Sequence, residues 1–257
     1  MSKHRAAVAA FALALLSASP LTAFAQTPPA QSPVPVPPKH EATGEVAFVG
    51  TTGNSKETTL SAGAEYIARP NIWTFKNRFN VVRGDTDGVI TSESWLYGFR
   101  AERPINARVA FFGEYAFFKD EFAGIDARNG VTGGLMFTIA KTARHTLTAD
   151  AGLGYMDEMR LTGDDVESGT YSGGAAYKLK LGPNSEVSDE FRFLGIFDNG
   201  DDWRISNTVA VTAKLTDAFS LKFSNTVRHL NFPPPGFIST DTVTSVALVA
   251  SFKRPKP

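Results

Sequence analysis

His229 is the residue whose neighbours most readily suggest covalent chemistry, because Ser224 and Asn225 lie close to it in the chain. A serine, a histidine and an asparagine can together cleave a lipid ester when the base lies within hydrogen-bond reach of the hydroxyl. The spacing argues against that here. The positions two residues from His229 on its own face are Val227 and Asn231, and neither offers a hydroxyl. His40 sits beside a proline-rich stretch and His145 at a turn, so neither has a nucleophile near it. GDTDG (84–88) and DNGDDW (198–203) carry enough carboxylates to hold a divalent cation, but neither has the full spacing of a calcium loop. GTTGNS (50–55) lacks the Gly-Lys-Ser/Thr of a phosphate loop and reads as a hairpin loop. With no cysteine there is no thiolate metal site and no disulfide framework. No catalytic residue, metal ligand or cofactor is therefore assigned.

A second set of residues acts through its field. Lys178, Lys180, Arg192, Arg204, Lys214, Lys222 and Arg228 recur at alternate positions in the last third of the chain. Glu45, Glu65, Glu114 and Asp150 do so in the first part, interrupted by Lys76, Arg78 and Arg100, while Glu190 lies among the basic residues. If each set lines one wall of an enclosed space, the walls carry opposite charge and set up a transverse field. Basic residues outnumber acidic ones on this reading, which predicts a weak preference for anions. If the space is narrow, the same side chains cross and pair, and the result is a filled, structural interior.

The elements that must position these charges are strands. From Gly44 onward, segments of about ten residues alternate apolar and polar side chains, with turn signals between them. Trp73, Phe75, Phe79 and Val81 oppose Thr74, Lys76, Arg78 and Asn80. Phe219, Leu221, Phe223 and Val227 oppose Ser220, Lys222, Ser224 and Arg228. About twelve such strands fit, near 44–52, 57–68, 72–83, 90–103, 107–119, 128–140, 144–157, 168–181, 185–197, 202–215, 218–230 and 240–252. In the last of these Val246, Leu248 and Phe252 share one face, and Ser245, Ala247 and Ser251 the other. A strand apolar on one face and polar or small on the other faces two solvents.

Short connections at Arg69–Pro70–Asn71, 104–106, 141–143, 182–184 and 216–217 alternate with longer ones, such as 119–128, 159–168 and 230–240. The long loops are acidic, with Asp85, Asp87, Asp120, Asp126, Asp164, Asp165, Asp201 and Asp202. Aromatics gather toward both ends of the apolar faces. Trp95, Tyr115, Tyr155, Tyr171, Phe197 and Trp203 lie at one end, and Tyr66, Trp73, Phe137, Phe219 and Phe252 at the other. Such girdles mark the two interfaces of a bilayer. A soluble β-sandwich shares the alternation but not the strand length, the loop asymmetry or the girdles. The fold expected is all-β: a transmembrane antiparallel up-and-down β-barrel of about 12 strands, with both termini and the short turns in the periplasm. Asn77, Asp189 and Asn225 fit poorly, because their phase points them at lipid.

The ends of the chain fit export. Lys3, His4 and Arg5 precede an apolar run, Ala6 to Leu16, and Ala23-Phe24-Ala25 is a small-x-small cleavage site. Residues 1–25 read as a signal peptide, 26–42 as a Pro-rich periplasmic tether, 43–252 as the barrel and 253–257 as a short tail. Hydrophobic content is 42% and mean hydropathy −0.12. After the leader no apolar run is long enough for a transmembrane helix. The formal charge of +0, with Lys3 and Arg5 in the leader, gives no attraction to nucleic acid.

Three stretches carry a family resemblance: GTTGNSKETTLSAG (50–63), KDEFAGIDARNGVTGGL (119–135) and PPPGFISTDTVTSVALVASF (233–252). Together they resemble the domain-of-unknown-function family of salt-induced outer membrane proteins, over about residues 43–252. The resemblance implies an outer-membrane barrel and a role in salt or acid response, and supplies no catalytic residues. Lys253 to Pro257 depart from the usual ending on an aromatic. The expectation is a non-enzymatic barrel forming a narrow, weakly anion-preferring pore. A lipid-acting enzyme and a plugged structural or adhesion barrel are the alternatives. Expected partners are outer-membrane lipids and lipopolysaccharide, the barrel-assembly machinery through the C-terminal strand, and small solutes.

Overall fold

The computed structural model describes residues 37–52, 58–86 and 89–254. The leader, most of the tether, the 53–57 segment, Asp87, Gly88 and residues 255–257 lie outside the described residues. The strands are β1 (His40–Thr52), β2 (Thr58–Ala68), β3 (Thr74–Thr86), β4 (Val89–Pro104), β5 (Val109–Asp120) and β6 (Ile125–Lys141). They continue with β7 (His145–Arg160), β8 (Val166–Lys180), β9 (Ser185–Ile196), β10 (Trp203–Lys214), β11 (Phe219–Leu230) and β12 (Thr240–Arg254). A 3-10 turn, η1 (Glu121–Ala123), lies between β5 and β6. Each strand pairs antiparallel with its sequence neighbours, and β1 pairs with β12 from His40↔Arg254 to Thr52↔Thr242, which closes the barrel.

Several boundaries differ from the sequence periodicity. β1 starts at His40, so residues 40–42 belong to the wall. Arg69 fixes this stretch by donating to the Pro38 carbonyl and to Glu41, each at 2.8 Å. β6 and β7 extend further than expected, which shrinks the loops at 119–128 and 159–168 to 121–124 and 161–165. Arg128, Glu158 and Arg160 pair within this extension and hold it. β12 runs on to Arg254, beyond Phe252.

Closure assigns every residue a face. Phe48, Phe111, Leu153 and Phe252 point outward and are 57–65% exposed, while Ala47, Val49 and Ala247 of the same strands point inward and are buried. An exterior of large apolar side chains at this density is stable only against hydrocarbon. The three residues whose phase turns a polar group toward lipid, Asn77, Asp189 and Asn225, are each paired. The Tyr97 hydroxyl donates to Asn77 at 3.2 Å, Asn207 donates to Asp189 at 2.7 Å, and Asn225 donates to Thr244 at 2.8 Å. Each pair joins neighbouring strands, so a group facing lipid keeps a partner.

At one end of the barrel the short turns are closed by their own side chains. Asn106 accepts from the backbone of Arg108 and Val109, and Thr216 from that of Ala218 and Phe219. Asn71 takes the left-handed conformation (φ 52°), which asparagine tolerates. At the other end lie the longer loops. Inside, Ala47, Val49, Ala247 and Val249 form a small apolar patch along the closure, with Val82 and Val243 against it. The rest of the inner face is largely polar.

Glycine shapes the β6–β7 wall. A Cβ on Gly134 would stand 2.1 Å from the Ala151 carbonyl oxygen, and one on Gly154 would stand 2.3 Å from that of Val131. Gly133, pointing outward, has its nearest neighbour at 3.9 Å. Gly134→Val should therefore block or destabilise folding by more than the roughly 1–3 kcal/mol of ordinary overpacking. Gly133→Val should fold normally. Heat-modifiable gel migration after refolding measures both, and equal folded yields would contradict the close approach.

Candidate functional site

Charged side chains from alternating positions line the lumen in two layers. Near the long loops, Glu158 of β7 is fully enclosed and accepts from three guanidiniums. Arg128 (β6) bonds Glu158 Oε2, Arg160 bonds Oε1 at 2.7 Å, and Arg204 (β10) bonds Oε2 at 2.6 Å and Oε1 at 3.1 Å. Asp202 completes the layer, accepting from Arg160 at 2.9 Å and from Arg204 at 3.1 and 3.2 Å. Three cations share two anions here, an arrangement that satisfies every carboxylate oxygen. Phe118 lies between Arg128 and Arg228, each guanidinium 5.3 Å from the ring centre. Arg228 of β11 also reaches across to Asp120 of β5 at 3.9 Å.

The middle layer is built on β2–β5, β7 and β9. Arg100 donates to Glu102 at 2.9 Å, Glu114 at 2.8 Å and Asp150 at 3.3 Å, with its guanidinium stacked 3.8 Å above Phe112. Lys76 adds a 2.7 Å bond to Glu102. Arg192 of β9 reaches Asp150 at 3.5 Å and Glu190 at 3.3 Å. Arg78 of β3 stands 3.6 Å from Glu65 on the neighbouring strand and 3.6 Å from Glu190 on the opposite wall. β3 and β9 face each other across the ring, as do β5 and β11, so Arg78–Glu190 and Arg228–Asp120 are crossbars through the lumen.

All eleven residues read from the sequence as wall charges point inward by register. They do not leave two bare walls. Lys222 pairs with Glu45, Lys178 with Glu186 at 3.8 Å, and Lys214 with Asp217 at the turn end at 2.6 Å. That contact with Lys214 also holds the Asp217 carboxyl below its ordinary range. Glu65, Glu114, Asp150, Arg192, Arg204 and Arg228 are paired as described above. Lys180 stands opposite Glu186 in the register without an ion pair among the described residues. The opposed charges thus compensate one another across the barrel.

Sequence reasoning missed Glu102, Glu158 and Arg160 as lumen residues and treated Asp120 and Asp202 as solvated loop charges. Asp202 is 1% exposed. Asp120 caps η1 by accepting from the Ala123 amide at 3.1 Å. The alternation carried far enough along β7 does place Glu158 and Arg160 in phase with Asp150, a signal that was present. His229 and Ser224 lie on opposite faces. His229 bonds Thr240 and packs on Trp203 outside, whereas Ser224 bonds Ser245 inside. His40 and His145 likewise bond the hydroxyls of Tyr66 and Tyr177 on the exterior. No group of three or more potential ligands for a metal ion is present among the described residues.

A family model covers residues 44–252 of this barrel. The chain belongs to the family described as protein of unknown function, DUF481. No curated protein matches it. Among solved structures, the DUF481 barrel is similar to the NanC porin at 9% identity, with 82% of this chain and 100% of that one covered and a TM-score of 0.57. Weaker likenesses are the translocator domain of the autotransporter NalP from Neisseria meningitidis and the KdgM porin. The first has 12% identity, coverage of 83% and 88%, and a TM-score of 0.49. The second has 10% identity, coverage of 81% and 99%, and a TM-score of 0.45. The likeness to NanC is one of fold: a closed antiparallel barrel of the outer-membrane porin type.

The two layers of this DUF481 lumen should differ in what they contribute. Glu158→Gln leaves buried guanidiniums without their anion and should cost about 3–5 kcal/mol, as breaking buried pairs does. Glu65→Gln removes a longer, half-exposed contact and should cost about 1 kcal/mol or less. Urea unfolding followed by tryptophan fluorescence in lipid vesicles separates them. Equal shifts would mean that burial does not set the strength of these pairs.

Proposed function

We propose that this protein is a non-enzymatic outer-membrane barrel that works as a narrow passage for small polar solutes, with a weak preference for anions. The observation that carries this is the Arg78 crossbar. It spans the lumen through contacts of 3.6 Å, longer than hydrogen bonds, and its side chain remains 54% exposed. A guanidinium held that loosely narrows a wet lumen; it does not pack a dry one. The preference for anions follows from exposure. In most of these pairs the cation is the more accessible partner, as with Arg192 at 41% against Asp150 at 13% and Lys76 at 37% against Glu102 at 9%; Arg100, at 9% against Glu114 at 28%, is the exception. An ion passing the middle layer meets guanidinium and ammonium groups before carboxylates.

In this reading the long loops face outward and the turns and termini face the periplasm. The apolar exterior meets lipids and lipopolysaccharide, and the closing strand β12 is what the assembly machinery handles. A role in salt response belongs to the same proposal and has a physical basis. The screening length falls from about 8 Å at physiological ionic strength to about 3 Å at 1 M, so half-exposed crossbars weaken as salt rises. The passage would then widen under salt. The enclosed Glu158 layer favours the other reading, a plugged structural barrel, and conductance decides between them.

In planar bilayers the protein should conduct, with conductance rising faster than bulk conductivity as salt increases. Arg78→Ala should raise single-channel conductance and shift the reversal potential in a salt gradient toward cations. If neither the wild type nor Arg78→Ala conducts, the lumen is a plug.

A further inference from the structure

The β11–β12 loop, residues 231–239, does not stand away from the barrel. It leans over the long-loop end and rests on loops from other parts of the ring. The Phe237 ring lies against Gly124, on the opposite side of the barrel, so closely that a Cβ there would meet it at 2.7 Å. Pro235 lies against Gly163, where a Cβ would meet its ring at 2.8 Å, and the Pro235 carbonyl accepts from Thr162 at 2.7 Å. Asn231 donates to Asp201 and to the Trp203 carbonyl at 2.9 and 3.0 Å. A depression of about 350 Å³ between these loops is lined by Arg160, Ser168, Asp202, Phe232 and Pro235. Two of the stretches that carry the family resemblance, KDEFAGIDAR and PPPGFIST, thus meet at the mouth.

We propose that this loop is a lid that lifts off Gly124 and Thr162 to admit solute, an inference that rests on the channel reading. Its construction suits that motion. Pro233, Pro234 and Pro235 fix three successive φ angles, so the segment moves as a stiff unit. Gly236, at φ 91°, supplies a residue that can absorb a change of direction. The surfaces it rests on are Gly124 and Gly163, both with positive φ and no side chain to interlock. A ring on bare backbone separates without repacking a core. Pro234 is buried, but most of the loop is exposed, and a side-chain hydrogen bond from Thr162 ties it to the β7–β8 loop. At the base of the hairpin the Leu230 amide donates to Ser239 at 2.8 Å, which places the hinge above that bond.

The chain has no cysteine, so a Thr162→Cys/Pro235→Cys variant carries one introduced pair. Oxidation should abolish its conductance in planar bilayers, and dithiothreitol should restore it. Replacing residues 233–236 by two glycines should leave the mouth open and raise channel open time. A closed resting lid is open in a minor fraction of molecules, so the gain should be about ten-fold or more. Hydrogen exchange supplies a readout independent of conductance. The Asn231 amide, which donates to the Trp203 carbonyl on the neighbouring hairpin, should exchange far faster than the Leu230 amide. If Arg78→Ala conducts while locking and trimming change nothing, the lid is wrong and the channel reading stands. Exchange at 231 as slow as in the strands also overturns the lid. If no variant conducts, lid and channel fall together.

Discussion

The pairing of β1 with β12 is the contact on which the rest depends. A strand edge in hydrocarbon leaves amides and carbonyls with no partner, at several kcal/mol for each group. The ladder from His40↔Arg254 to Thr52↔Thr242 removes both edges at once. It also settles the two faces for all twelve strands, because antiparallel neighbours share a face at every opposed pair. A slip by one residue at the closure would turn Glu45 outward and Val46 inward, and the mismatch would have nowhere to go in a closed ring.

Once the faces are set, the inward charges have little freedom. They project into a barrel narrow enough for side chains of opposite walls to touch, as Arg78–Glu190 and Arg228–Asp120 do. An isolated charge in that space loses water on several sides and must find a counter-ion. The middle layer meets this requirement with Arg100, whose guanidinium serves three carboxylates and a ring. The loop-end layer meets it with Glu158, whose carboxylate serves three guanidiniums. One layer is organised around a cation and the other around an anion, and both come from the same alternation of inward positions.

The strands and their faces were legible in the sequence because alternation is local. Val246, Leu248 and Phe252 announce the lipid face of β12 without help from any other strand. The pairing inside was not legible. Whether Arg78 meets Glu190 depends on stagger summed around half the ring, which no local pattern encodes. Asp202 looked like a solvated loop carboxylate because it stands in DNGDDW, beside Asp201. Its burial comes from Arg160, which arrives from β7, acting with Arg204 two residues on in the chain. The outward polar residues Asn77 and Asn225 had no partner in sequence; Tyr97 and Thr244 come from the strands beside them. The loops were misjudged for a related reason. Strand length was set by where apolar alternation fades, whereas β6 and β7 continue because Arg128, Glu158 and Arg160 reward pairing beyond it.

On the proposed channel reading, the two layers let one lumen be both a stabilising core and a passage. A barrel of this width lacks a large apolar interior; an apolar cluster lines the closure seam, and elsewhere buried apolar side chains such as Phe112 and Met156 lie among the charges. Ion pairs must carry part of that role, yet pairs strong enough to hold a wall are too enclosed to yield. Burial divides the task. Glu158, Asp202 and Arg204 are sealed from solvent, so ionic strength acts on them weakly. Arg78 and Arg192 keep large exposed fractions, so on the same reading salt screens their contacts before those of the sealed layer. Because Arg78 is held from both walls at equal distances of 3.6 Å, it can give up Glu190 while keeping Glu65 on the adjacent strand. The crossbar therefore has a resting place on its own side of the lumen, and opening it exposes no unpaired guanidinium.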